Sequence, residues 1–109
     1  MSYLAIVDLG SNSARMVVEA LHEDGTYTEI IREKQDTRIA QGMGAEQILK
    51  EVPIARTIAA LKHFQSVYAP FAPTVIAITT AAVRMAKNQA AFLARVERET
   101  GLHFRVLTG

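Results

Sequence analysis

Hydrophobic and polar positions divide the chain into segments of two periods. Residues 3–9, YLAIVDL, are an apolar run broken only by Asp8, the pattern of a central strand covered on both faces. ARMVVEALH over 14–22 predicts a second strand, Asp24-Gly25 a turn, and TYTEIIREK over 26–34 a third strand of mixed, edge-like character. The opening third therefore predicts an antiparallel meander. QDTRIAQGMGAEQ reads as a loop that enters a short helix around Glu46–Lys50. Pro53 suits the first turn of a longer helix, in which Ile54, Ile58, Leu61 and Tyr68 recur at helical spacing. APFAPT breaks that helix, and VIAIT over 75–79 has the composition of a buried strand leading directly into TAAVRMAKN. Asn88 is placed to cap a last helix that turns Phe92, Leu93 and Val96 inward and stops at Gly101 in the C′ position. HFRVLT predicts a final strand.

The predicted order is β-β-β-α-β-α-β. Strand-helix-strand crossovers are right-handed, so the last two strands lie parallel to the first in one mixed five-stranded sheet with helices packed on it. This α/β order is the ribonuclease H-like pattern shared by actin, sugar kinases and the nucleotide-binding domains of heat-shock chaperones.

A length of 109 residues predicts one domain, and 50% hydrophobic with 21% charged residues predicts a folded one. The formal net charge of +1 provides no global field to recruit nucleic acid or an acidic membrane, so any anion site must be local. With no cysteine there is neither a disulfide framework nor a thiolate metal site. His22, His63 and His103 lie far apart and lack metal-ligand spacing. No run approaches the ~20 apolar residues of a membrane span, and Asp8 interrupts the N-terminal apolar run too early for a signal peptide. These features lead us to expect a soluble, cytoplasmic protein.

The chemistry concentrates where the first strand ends. A turn of Gly10, Ser11, Asn12 and Ser13 can direct successive N–H groups and hydroxyls into one concavity suited to a phosphate. Asp8 beside it suits a hydrated Mg²⁺, which gives up its waters reluctantly. The same residues also suit an ordinary hairpin turn in which Asp8 bonds its own backbone. Thr37 and Arg38 in a glycine-containing loop, and Thr80 at a strand end with Arg84 one helical turn on, add hydroxyls and cations. Each arginine taken singly also suits a surface salt bridge worth under ~1 kcal/mol.

Taken together, AIVDLGSNSARMVV, TRIAQGM and AITTAAVRMAKNQAAFLARVERETGLHFRVLTG resemble the N-terminal part of the exopolyphosphatase and guanosine pentaphosphate phosphohydrolase family, in the actin-like ATPase superfamily. The resemblance covers residues 4–109. It implies hydrolysis of a terminal phosphoanhydride, releasing orthophosphate from inorganic polyphosphate or from guanosine pentaphosphate to leave the tetraphosphate. It also implies a Mg²⁺ cofactor with Asp8 on the metal side, a phosphate loop of Gly10, Ser11, Asn12 and Ser13, and an Arg15 contact to phosphate or nucleotide. Arg38, Thr80 and Arg84 are implied to line the same cleft.

The family's water-activating glutamate follows the segment resembling VLTG, so it is expected just after Gly109, with a second glycine-rich motif and a second domain further on. Residues 1–109 are accordingly expected to form the front of the first actin-like domain, inactive by themselves because a catalytic set missing one member loses most of its effect. Glu19, Glu23, Glu29 and Glu46 do not sit at a strand end beside the turn and are not expected to substitute. Relatives of this kind commonly pair, so a homodimer is one assembly the resemblance allows. A competing reading from another class is a non-catalytic module that senses phosphate-rich nucleotides through the same turn. A sugar or acid kinase fits less well, since TAAVRMAKN does not resemble those enzymes.

Overall fold

The computed structural model describes residues 1–108; Gly109, which ends the VLTG segment, lies outside them. Strands β1 (Ser2–Leu9), β2 (Ala14–Leu21) and β3 (Tyr27–Gln35) form the meander. Helix α1 (Glu51–Tyr68), one turn of 3-10 helix, β4 (Thr74–Thr79), the short α2 (Ala81–Met85), α3 (Gln89–Thr100) and β5 (Phe104–Val106) follow. The sheet order is β3-β2-β1-β4-β5. β1 is antiparallel to β2 and parallel to β4, and β4 is parallel to β5.

Local chemistry explains the connections. At the β2–β3 hairpin Gly25 takes φ 88°, and Asp24 Oδ1 accepts from the Thr26 amide at 2.9 Å and its hydroxyl at 2.7 Å. These two donors hold the Asp24 carboxyl below its ordinary range. α1 breaks at the Pro70–Pro73 segment, where Ala72 turns left-handed, and α3 ends on Gly101 at φ 76°.

Both helix faces lie on one side of the sheet. Ala5, Val7 and Leu9 of β1, Met16 and Val18 of β2, and Ala77 of β4 meet Ile58, Leu61 and Phe64 of α1 and Phe92 and Val96 of α3. Arg95 ties the helices together outside the core, bonding Glu51 at 2.7 Å and Glu99 at 2.8 Å.

Two expectations change. β1 and β4 are not covered on both faces by the described residues, because Leu4, Ile6, Val17 and Ile78 are only half-buried and Ile76 is 45% exposed. The short helix over Glu46–Lys50 is also absent. Gln47 is left-handed at φ 55°, and the Leu49 backbone is taken by a side chain 39 residues away.

Candidate anion site at the strand ends

The parallel strands β1, β4 and β5 all finish at one end of the sheet, the position where open α/β sheets bind ligands. Thr79 Oγ1 is fully buried and donates to the Leu9 carbonyl at 2.8 Å, fixing the end of β1 against β4. Sequence reasoning passed over this residue, since a strand threonine carries no local sign of such a partner.

Beyond Leu9 the chain turns through Gly10–Ser13. The Gly10 amide donates to the Ser13 carbonyl at 2.9 Å, and a Cβ on Gly10 would meet that oxygen at 3.3 Å. Two further bonds set the peptide planes: Arg38 N–H donates to the Asn12 carbonyl at 3.0 Å and Ala40 N–H to the Ser11 carbonyl at 3.3 Å. In a trans peptide the next N–H points opposite to the carbonyl. Fixing the Ser11 and Asn12 carbonyls toward the 36–50 loop therefore aims the Asn12 and Ser13 amides away from it. The amides of Ser11, Asn12 and Ser13 have no acceptor among the described residues.

Those three residues, with Asp8, Gly10 and Arg15, line a cleft of about 240 Å³. Asp8 and Arg15 are direct cross-strand partners, so their side chains share a face. Asp8 is half-buried and Arg15 exposed, and the two form no ion pair within 4 Å among the described residues. Unclosed charges beside unpaired amides leave the cleft equipped for a ligand carrying both a metal and phosphates. A neighbouring cleft of about 250 Å³ shares Asp8 and Arg15 and runs along the open face to Glu19, Glu29 and Arg32.

The other residues expected here are placed differently. Arg38 sits at φ 47° and reaches the turn through its backbone; its exposed side chain does not line the cleft. Thr80 precedes α2 at the same sheet end, with its carbonyl accepting from the Arg84 amide at 2.8 Å. The Arg84 guanidinium donates to the Leu107 carbonyl at 2.9 Å, fastening α2 to the segment after β5. Neither Thr80 nor Arg84 lines the cleft around the turn.

For a metal, the described residues offer Asp8 alone at this point, and they contain no group of three His, Cys, Asp or Glu side chains that could cage an ion. One carboxylate fits Mg²⁺, which keeps several waters and takes its remaining ligands from substrate phosphates.

A mixed β3-β2-β1-β4-β5 sheet with a small-residue turn between its first two strands defines the ribonuclease H-like domain of the actin-like ATPase fold. Within that class the chain belongs to the Ppx/GppA phosphatase family, which it matches over residues 17–109. It superposes on the Aquifex aeolicus Ppx/GppA family member with a TM-score of 0.92 at 33% identity, covering 98% of this chain and 35% of that one. It is 27% identical over 107 residues to exopolyphosphatase 1 of Mycobacterium tuberculosis, covering 97% of this chain and 31% of the relative. It is 26% identical over 112 residues to a bifunctional 3-dehydroquinate synthase/phosphatase of Fusobacterium nucleatum, covering 96% of this chain and 17% of that protein. The chain thus spans at most about a third of the length of these proteins.

Proposed function

We propose that this chain provides the phosphate-binding wall of a phosphoanhydride hydrolase, acting on the terminal phosphate of inorganic polyphosphate or of guanosine pentaphosphate. The observation that carries the reading is the set of unpaired Ser11, Asn12 and Ser13 amides in a cleft shared with Asp8 and Arg15. In this reading the amides and the Ser11 and Ser13 hydroxyls hold phosphate oxygens, and the Arg15 guanidinium neutralises their charge. Asp8 would hold a hydrated Mg²⁺, which when bound withdraws charge from the phosphate oxygens. Arg38, Thr80 and Arg84 lie outside the lining of this cleft and would act on it indirectly, Arg38 through its backbone bond to Asn12 and Arg84 through its hold on Leu107. Hydrolysis adds water to the terminal phosphorus and breaks the anhydride bond, freeing orthophosphate.

Among the described residues, Asp8 supplies the one carboxylate lining the cleft around the turn. The group that orients the water is therefore proposed to lie outside these 109 residues.

The test is calorimetric titration of the chain with tripolyphosphate and Mg²⁺, repeated on Asp8→Ala, alongside phosphate release from long-chain polyphosphate. The reading expects binding by the parent, weakened about tenfold or more in the variant on loss of a charged contact, and no release by either. Equal binding by parent and variant would remove Asp8 from the site, and release by the chain alone would place the missing catalytic group within it.

A further inference from the structure

α3 starts without a side-chain cap because the residue at its cap position is engaged elsewhere. Asn88 Oδ1 accepts from the Leu49 amide at 2.9 Å, and Asn88 Nδ2 donates to the Leu49 carbonyl at 3.0 Å. Only one orientation of the carboxamide satisfies both bonds. Next to this clamp, the Lys87 amide donates to the Gln47 carbonyl at 2.8 Å.

The clamped segment is the far end of the loop that sets the phosphate turn. Its near end supplies the Arg38 and Ala40 amides that hold the Asn12 and Ser11 carbonyls. Two non-glycine residues in this loop are left-handed, Arg38 at φ 47° and Gln47 at φ 55°. Side chains avoid that region, and such conformations persist only where the surroundings over-determine them. Around the near end, Arg56 Nη1 on α1 donates to the Thr37 carbonyl at 3.0 Å and to Gln41 Oε1 at 2.9 Å. The loop is a strap pinned at the turn, at α1 and at Asn88.

We propose that Asn88 is a positioning residue for the anion site: its two-point clamp on Leu49 keeps the strap seated so that Arg38 and Ala40 hold the turn carbonyls away from the ligand. The proposal rests on the reading of the turn as a phosphate site. It assigns Asn88 no contact with phosphate, and the effect reaches the ligand through the orientation of the Asn12 and Ser13 amides. Removing the clamp frees Gln47 to leave its strained conformation, and the strap loosens toward the turn.

The experiment uses the intact chain as parent, Asn88→Ala, Asn88→Asp and the double variant Asn88→Ala with Gln47→Gly. Asn88→Asp keeps the acceptor for the Leu49 amide but loses the donor to its carbonyl. Amide hydrogen exchange is read at Arg38, Ala40 and Leu49, with Val7 and Met16 as core references, and tripolyphosphate affinity is read with Mg²⁺ by calorimetry. Asn88→Ala is expected to speed exchange at Arg38 and Ala40 and to weaken tripolyphosphate binding, each about tenfold, while Val7 and Met16 keep their protection. Asn88→Asp should fall between parent and alanine. Glycine at 47 adopts the left-handed conformation without a steric cost, so the double variant should recover part of the affinity.

Unchanged exchange at Arg38 and Ala40 would overturn the proposal, as would faster exchange with unchanged affinity, which would make Asn88 a purely structural clamp. If the parent itself fails to bind tripolyphosphate, the phosphate reading has failed and the positioning role falls with it; the exchange data still report whether the strap is held by Asn88.

Discussion

Replacing Thr79 with valine preserves the shape of a fully buried side chain and removes one hydrogen bond, the 2.8 Å contact from Oγ1 to the Leu9 carbonyl. Losing a partner from a buried acceptor costs about 1–3 kcal/mol, and the added methyl returns about 0.8 kcal/mol of burial. Those two terms leave a net loss of about 0.2–2.2 kcal/mol, centred near 1 kcal/mol. For a chain of this length, 1 kcal/mol shifts the melting temperature by about 4 °C, so the expected fall is centred near 5 °C, within about 1–9 °C. The lost bond also anchors the residue that feeds directly into Gly10, so exchange of the Gly10 amide, which donates to the Ser13 carbonyl, should rise more than that of Met16, which pairs with Val7 two positions back along β1. The assay is a thermal melt of parent and variant followed by exchange at those amides. A melting temperature within about 1 °C of the parent would refute the reasoning, since it would mean that the strand end is held without this bond.

Other expectations are equally open to measurement. Phe64→Ala removes a fully buried ring from the last turns of α1 and should cost about 3–5 kcal/mol, a large share of the 5–15 kcal/mol typical of a domain, read as a drop in the urea midpoint. The Arg95 guanidinium holds the Glu51 and Glu99 carboxyls below their ordinary 4.5. A carboxyl lowered by folding contributes stability above its unfolded pKa that disappears as pH falls through the folded value. The melting temperature should therefore hold level from neutral pH down to about 5 and decline below 4.5, less steeply in Arg95→Ala than in the parent. Because both carboxylates face solvent, raised salt should reduce the difference between parent and variant.

Much of this fold was legible because its signals are local. The apolar run to Leu9, the Asp24-Gly25 turn, the spacing of Ile54, Ile58 and Leu61, and Gly101 each act within a few residues, and each element formed where its pattern placed it. The turn at Gly10–Ser13 was visible for the same reason: small polar residues after a buried strand have few packing roles.

What the sequence hid depends on distant partners. Asn88 has the composition of a helix cap, and only the approach of Leu49, 39 positions earlier, diverts it into a clamp. That clamp on Leu49, with the Lys87 amide on the Gln47 carbonyl, supplies backbone bonds that a helix over Glu46–Lys50 would have made for itself. Arg84 reads as a free cation until its guanidinium is seen on the Leu107 carbonyl. The open face of the sheet misleads in the opposite sense. Leu4, Ile6 and Ile78 give β1 and β4 the look of two-sided burial, yet the described helices cover one side alone.

The central claim is that the Ser11, Asn12 and Ser13 amides are free to receive a phosphate. The most direct measurement is a titration of the isotopically labelled chain with tripolyphosphate in the presence of Mg²⁺, following every backbone amide. The account expects saturable downfield shifts at Ser11, Asn12 and Ser13, accompanied by Arg15 and weakened in Asp8→Ala. Shifts spread over surface lysines and arginines, with those three amides unmoved at saturation, would contradict it.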